Sequence, residues 1–144
     1  LVHLDQPYVV DVGLGTGKLR QPVPLETGTA SGPLADWRVV ESDRPEETHL
    51  LEYDDGEGWN GRYVCTAKGV PLSYFRAAND YLQAAAESPF TGDPFLSIAT
   101  EAGYVSCSDR TLRCVDSDGE GERSLSDAEW YDHLEAPFGL SVGE

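Results

Sequence analysis

The sequence predicts an α+β fold in which antiparallel strands dominate and are interrupted and followed by helices. Over residues 1 to 66, short β-branched and aromatic runs alternate with turns rich in glycine and aspartate. After Pro71, apolar residues recur at helical spacing. A second group of short strands then precedes a helix-capping pattern at Ser126 to Glu129. This succession of antiparallel strands and separate helices is typical of the α+β class.

The first predicted strand, Tyr8 to Val12, is apolar and β-branched, and a glycine-rich turn over Gly13 to Gly17 follows it. This turn does not open a helix, because Pro22 and Pro24 come too soon after it. We therefore expect a loop from the turn to the next strand, near Trp37 to Val40.

A hairpin and a helix come next. The runs His49 to Tyr53 and Trp59 to Cys65 flank the turn residues Asp54 to Gly58, which is a hairpin signal. The apolar residues that follow predict a helix over about 70 to 86, which ends before Pro89.

Strands resume in the last third of the chain. We expect them at Phe95 to Thr100, Tyr104 to Ser108 and Thr111 to Val115. The acidic stretch 116 to 122 lacks the flanking helices and closing glutamate of an EF-hand, so it is predicted to be a solvated hairpin turn. A last helix is predicted to end near Glu135.

The chain is strongly acidic, with 26 acidic and 10 basic residues and a formal net charge of −16 at pH 7. Such a surface repels nucleic acid and acidic membranes, and we expect neither as a partner. No apolar run approaches the roughly 20 residues that span a bilayer. The acidity is consistent with simple solubility and also with a protein from a high-salt cell.

The cysteines and the first residue bear on cell compartment and completeness. Cys65, Cys107 and Cys114 are an odd number of cysteines, which favours a reducing cytoplasm over a secreted disulfide framework. A Cys107–Cys114 pair across a hairpin is the alternative. The chain starts at Leu1 and contains no methionine, so we expect it to be a piece of a longer polypeptide.

Several segments together resemble the second half of the arylamine N-acetyltransferases, in order and in spacing. They are YVVDVGLG, QPVPLETG, WRVV, GWNGRYVC, PLSYFRAANDYLQAAAESPF and LSDAEWYDHLEAPFGL. The resemblance covers nearly the whole chain. It implies that residues 1–66 form the second part of a β-barrel domain, residues 67–90 an interdomain helix, and residues 91–144 an α/β lid domain with a C-terminal helix.

The resemblance implies transfer of an acetyl group from acetyl-CoA to an arylamine or arylhydrazine through an acetyl-cysteine intermediate. Such chemistry uses a Cys-His-Asp triad, because a thiol is a poor nucleophile until an imidazole, oriented by a carboxylate, takes its proton. The resemblance assigns the triad carboxylate to Asp11. From the residues alone, an aspartate that caps its own turn is the alternative role.

The triad cysteine and histidine of the family lie upstream of the aspartate, and this chain starts ten residues before Asp11. His3, His49 and His133 are expected to be surface residues, and the three cysteines are expected to be inert thiols. The missing groups would therefore come from an N-terminal half of the same chain or of a partner chain.

Further site residues follow from the resemblance. It implies coenzyme A contacts for Gly13, Gly15, Asn79 and Ser88, and an acceptor-pocket role for Leu14, where family members usually carry phenylalanine. No metal is implied. Two alternatives remain open: an amide synthase of the same family, and a non-catalytic domain that binds a ligand or a partner chain.

Overall fold

The computed structural model describes residues 1–13, 19–26 and 28–141. Within these ranges the chain forms antiparallel sheets and two α-helices, so the predicted α+β class is confirmed. Every strand pair in the three sheets is antiparallel. The sheets of the first 65 residues are open rather than a closed barrel, which is compatible with a partial barrel.

Two sheets occupy the first part of the chain. The first has the order β1-β2-β3, with β1 Val2–His3, β2 Pro7–Val9 and β3 Val23–Pro24. The second has the order β4-β5-β6-β7, with β4 Thr29–Ser31, β5 Asp36–Glu41, β6 His49–Asp54 and β7 Asn60–Cys65. The hairpin predicted from residues 54–58 is thus confirmed as β6–β7.

Three short strands, β1, β3 and β4, were not predicted from the sequence. We expected a loop where β3 and β4 occur, made no prediction for the residues of β1, and expected a strand to Val12 where β2 ends at Val9. Strands of two or three residues are too short to show an alternating pattern, and pairing with a neighbour defines them instead.

One hydrophobic core joins these two sheets. Trp37 of β5 and Leu51 of β6 are 2% and 0% exposed, and Val23 of β3 is also fully buried beside them. Leu19, Tyr53, Tyr63 and Cys65 pack against this cluster while remaining partly exposed. The core therefore places the inner side chains of β7 next to the end of the first sheet.

A helical segment follows β7. It consists of a 3₁₀ turn, Leu72–Phe75, and helix α1, Arg76–Ala84. The predicted helix over about 70 to 86 is confirmed to within two residues at each end. Neither the turn nor α1 contains a buried residue.

The third sheet has the order β11-β10-β9-β8. Its strands are β8 Phe95–Ala99, β9 Tyr104–Ser108, β10 Thr111–Asp116 and β11 Gly119–Ser124. The hairpin turn predicted within 116–122 is confirmed but is shorter than expected: it occupies residues 117–118, and β11, which was not predicted, begins at Gly119. Arg113 on β10 forms ion pairs with Glu120 and Glu122, so cross-strand charge pairing stabilises a strand with no apolar pattern.

The final helix, α2, spans Asp127–Glu135. Ser126 and Glu129 form a reciprocal capping box at its start, as predicted. The helix packs Trp130 against a small core that contains Cys107, Leu112 and Leu125. Within the described residues, neither helix is long and apolar enough to cross a membrane.

Candidate active site

Asp11 lies just past the end of β2 and is half-buried. Its Oδ1 atom accepts a hydrogen bond from the backbone N–H of Gly13 at 2.7 Å. This is the self-capping turn that we considered as the alternative role for the residue. A second hydrogen bond joins its side chain to Tyr63 on β7.

The Tyr63 hydroxyl is the donor in this pair. Burial raises the pKa of Tyr63 above its ordinary value, and the hydrogen bond to Asp11 and the negative charge of that carboxylate raise it further. The phenol therefore keeps its proton at neutral pH and donates a hydrogen bond to the carboxylate. Two donors, one from the backbone and one from β7, hold the Asp11 carboxylate in a defined orientation.

Cys65 lies two residues beyond Tyr63 on the same strand. Burial raises the pKa of the Cys65 thiol. Burial also raises the pKa of the Cys107 thiol. A raised pKa disfavours the thiolate, which is the nucleophilic form, so neither residue is suited to nucleophilic catalysis.

All three cysteines are free thiols. In the β9–β10 register, Cys107 faces Leu112 and Cys114 faces Val105. The alternative Cys107–Cys114 pair was therefore wrong, because the register offsets the two residues along their strands.

The histidines have partners other than Asp11. His3 faces Pro7 in the β1–β2 register. The Nδ1 atom of His49 lies 2.7 Å from the Thr48 hydroxyl, and Nδ1 of His133 donates to the Glu129 carbonyl at 2.8 Å. Among the described residues no hydrogen bond joins a histidine to Asp11, so no imidazole is in place to act as a base beside it.

The glycine turn is described only at its start. Gly13 is exposed, and a Cβ atom added there would lie 3.5 Å from Oδ1 of Asp11, which is ordinary contact. Leu14 and Gly15, which the resemblance implicated in acceptor and coenzyme binding, lie outside the described residues.

Asn79 and Ser88 lie on α1 and just after its end. Asn79 is exposed on α1, accepts a hydrogen bond from Gln83 at 3.0 Å, and lines an open groove with Phe75 and Arg76. Ser88 is buried, and its hydroxyl donates to the Leu82 carbonyl at 2.6 Å. That hydrogen bond closes the end of α1, while any contact of either residue with coenzyme A stays a prediction.

Two residues in this region carried no sequence signal. In the sequence, Tyr63 is one of several strand residues that could face inward, and only the fold shows that it contacts Asp11. The Arg20 guanidinium donates to the carbonyl oxygens of Thr100 and Gly103. It therefore ties the segment after the glycine turn to the β8–β9 turn of the third sheet, across 80 residues of sequence.

The described residues contain no group of three or more histidine, cysteine or acidic side chains that could hold a metal ion. They do contain the Asp11 carboxylate, which accepts hydrogen bonds from the Gly13 N–H and the Tyr63 hydroxyl.

This fold resembles that of known transferases. A family model described as N-acetyltransferase matches residues 1–144. The chain belongs to the arylamine N-acetyltransferase family, an enzyme class that transfers acetyl groups.

Individual relatives agree with this assignment. The Bacillus subtilis protein named uncharacterized acetyltransferase YvcN is 27% identical over 117 residues, which are 81% of this chain and 46% of that protein. The Bacillus cereus arylamine N-acetyltransferase NAT3, reported with a Cys-His-Glu triad, superposes with a TM-score of 0.83 at 21% identity, over 98% of this chain and 55% of that one. A Mycobacterium marinum arylamine N-acetyltransferase in complex with CoA gives 0.76 at 25% identity, over 94% and 49%. The chain thus spans about half the length of these relatives.

Proposed function

We propose that these residues are the second half of an acetyl-CoA-dependent arylamine N-acetyltransferase, with Asp11 as the carboxylate of its triad. The observation that carries the proposal is the Asp11 carboxylate itself, which accepts from Gly13 N–H and from the Tyr63 hydroxyl. A half-buried carboxylate held in this way is suited to orient an imidazole and to stabilise its charged form.

The reaction would proceed in two acyl transfers. A cysteine thiolate from the other half attacks the acetyl carbonyl of acetyl-CoA, and coenzyme A leaves as a thiol after it takes the proton held by the imidazole. The nitrogen of an arylamine or arylhydrazine then attacks the acetyl-cysteine, and its proton returns through the imidazole to the cysteine sulfur. Asp11 moves no proton in either step.

The β1–β2 register supports the proposal that the histidine base comes from a segment upstream of Leu1. Val2 faces Tyr8 and His3 faces Pro7, so each residue earlier in β1 faces one later in β2. By continuation, the second residue before Leu1 would face Asp11. A strand that continued β1 upstream would therefore run beside the carboxylate, where the missing histidine is needed.

The remaining assignments are proposals of the same kind. Residues 1–66 would be the rest of a β-barrel domain, 67–90 an interdomain helix, and 91–144 a lid. Gly13, Gly15, Asn79 and Ser88 would contact coenzyme A, which the Mycobacterium marinum relative binds, and Leu14 would border the acceptor. The free cysteines fit a cytoplasmic enzyme.

The test is acetyl transfer by this chain combined with its first half, whether joined upstream or co-expressed. We expect acetyl-CoA to acetylate 4-aminobenzoate and phenylhydrazine, with an acetylated cysteine detected by intact mass. Asp11→Asn should lower kcat/KM by at least about a hundredfold, because the imidazole loses its orienting charge. Asp36→Asn, at an exposed position of β5, is the matched control and should retain full activity.

Two alternatives predict different results in the same assay. A non-catalytic domain would bind coenzyme A, if at all, equally with and without Asp11→Asn and would acetylate no acceptor. An amide synthase would form the acyl-cysteine but would pass the acyl group to an amine within its own substrate rather than to a free arylamine. The non-catalytic alternative is included because the described residues place no suitable cysteine or histidine beside Asp11.

A further inference from the structure

Every residue from 67 to 81 is exposed to solvent. This stretch includes the 3₁₀ turn and most of α1, and the only helix or strand that α1 approaches among the described residues is that turn. Its exposed side chains include several large apolar ones: Val70, Leu72, Tyr74, Phe75 and Tyr81. We call this stretch the 67–81 face.

A nine-residue helix in this state lacks its usual source of stability. Starting a helix is costly, and helices this short persist in proteins because an amphipathic face packs on something else. Here Leu72 is 91% exposed and Tyr74 is 70% exposed, so the apolar side chains that should be packed are in water. The helix therefore needs a partner that the described residues do not supply.

The 67–81 face also has the shape of a docking surface. An open groove of about 670 Å³ is lined by Leu72, Ser73, Phe75, Arg76, Asn79 and Asp80. The Tyr74 and Phe75 rings meet edge to face, with centroids 5.3 Å apart. Exposed aromatic rings beside a groove with an arginine at its rim are typical of the central contacts of protein interfaces.

The length of the relatives identifies the occupant. This chain matches 46% of YvcN and 55% and 49% of the Bacillus cereus and Mycobacterium marinum enzymes, so each relative has about as much chain again outside the match. A second copy of this chain would bring another net charge of −16 to the interface, and like charges oppose such a dimer.

We propose that the 67–81 face is the seat of the family's other half, which inserts an apolar side chain into the groove between Leu72 and Phe75. The proposal rests on the proposed function, because it takes that other half to be present in the working enzyme. It assigns α1 an assembly role as well as a connecting one: the helix is held in place only when the two halves are together.

Hydrogen exchange read by mass spectrometry tests this directly. It compares the 144-residue chain alone with the same chain combined with its first half, joined upstream or co-expressed. We expect the amides of α1 to exchange almost as in an unfolded chain when alone, and at least about a hundredfold more slowly in the combined protein. The amides of α2, which packs on the third sheet, should change little and serve as the internal control.

A pair of variants makes the test specific to the groove. In the combined protein, Leu72→Ser with Phe75→Ser should remove most of the added protection of α1. Tyr131→Ser, at a similarly exposed aromatic position on α2, should leave it unchanged. Loss of all protection through general unfolding would be seen in the α2 amides as well, so the two effects are separable.

Three results would overturn the proposal. The first is an unprotected α1 in the combined protein. The second is a chain that forms dimers alone, by sedimentation velocity, and protects α1 in them, since a second copy would then be the occupant. The third is a genome with no reading frame for the other half. Acetyl transfer without protection of α1 would contradict this proposal only, and protection without transfer would contradict only the catalytic function.

Discussion

The Tyr63 hydroxyl on β7 donates a hydrogen bond to the carboxylate of Asp11, which follows β2. Asp11 lies just past a strand of the first sheet and Tyr63 lies within the second sheet, 52 positions later in the sequence. The bond therefore ties the end of the first sheet to the edge strand of the second. It also satisfies a carboxylate oxygen in a partly buried place, where an unpaired charge would be costly.

Tyr63→Phe should destabilise the chain. It removes one hydrogen bond to a charged group and leaves the ring in the core, so we expect a loss of about 1–2 kcal/mol in the free energy of unfolding. Urea denaturation at pH 7 measures this. Tyr131→Phe on α2, whose ring is exposed, is the control and should change nothing. Equal stabilities for Tyr63→Phe and the unsubstituted chain would mean that the bond contributes nothing net.

Tyr63 should also make stability fall at high pH. Its pKa is raised in the folded chain, by burial first and then by Asp11, so the folded state disfavours its ionisation. The stabilisation is fully present below the ordinary tyrosine pKa of about 10 and is lost as pH rises above it. Burial also raises the pKa values of the Cys65 and Cys107 thiols. Their contribution to stability is therefore lost in the same direction, as pH rises, but starting at a lower pH because the ordinary thiol pKa is lower than that of tyrosine. Unfolding midpoints between pH 8 and 11 should therefore fall more steeply in the unsubstituted chain than in Tyr63→Phe, and parallel curves would contradict the assignment.

Arg20 should couple the glycine-turn segment to the third sheet. Arg20→Ala removes the donors to the Thr100 and Gly103 carbonyls, and we expect a loss of about 1–3 kcal/mol in unfolding free energy and faster amide exchange at residues 100–104. Arg44→Ala breaks only an exposed ion pair with Glu47 and should cost under about 0.5 kcal/mol. If exchange at 100–104 is unaltered in Arg20→Ala, the coupling is absent.

Gly103→Ala should be the most damaging of the substitutions considered. A Cβ atom at this position would lie 1.9 Å from the Val115 carbonyl oxygen, and backbone cannot move aside as a flexible side chain can. We expect at least about 3 kcal/mol of destabilisation, or failure to fold. Gly92→Ala meets nothing within 4 Å and is the matched control. Circular dichroism during heating distinguishes the two, and a Gly103→Ala chain that melts like the control would contradict the packing.

The capping box of α2 should give the chain an acid-sensitive element. Ser126→Ala removes the cap and should cost about 1 kcal/mol. The backbone N–H and hydroxyl of Ser126, with Arg123, lower the pKa of Glu129 to about 2. The stabilisation from Glu129 is thus fully present above the ordinary glutamate pKa and is lost as pH falls towards 2. The free energy of unfolding should therefore change less between pH 5 and 2 in Glu129→Gln than in the unsubstituted chain. The same pH dependence in both proteins would show that Glu129 is not the acid-sensitive group.

How far the sequence alone predicts this fold depends on the range of the interactions involved. The β6–β7 hairpin, α1 and the Ser126 cap were predicted correctly, because turn residues, helical spacing and caps act within a few residues. Strands β1, β3, β4 and β11 were missed. They exist because a partner strand supplies hydrogen bonds and, for β11, because Arg113 pairs with Glu120 and Glu122 across the ladder.

The candidate site divides in the same way. Asp11 was found because a charged residue next to an apolar strand and a glycine turn is conspicuous, and because the surrounding segments resemble a known family. Tyr63 and Arg20 were not found, since nothing in a strand or loop sequence records which distant group its side chain will reach.

By itself, the sequence determined the fold class, most of the longer elements, the family and the one candidate catalytic residue, all of which depend on local patterns or on the order of short segments. Only the tertiary structure decided that Tyr63 meets Asp11, that Arg20 holds the β8–β9 turn, and that the 67–81 face packs on no other helix or strand of the described residues. These are contacts, or missing contacts, between parts of the chain far apart in sequence. Burial and hydrogen bonding at such distances depend on how all the sheets pack together, and no local pattern encodes that.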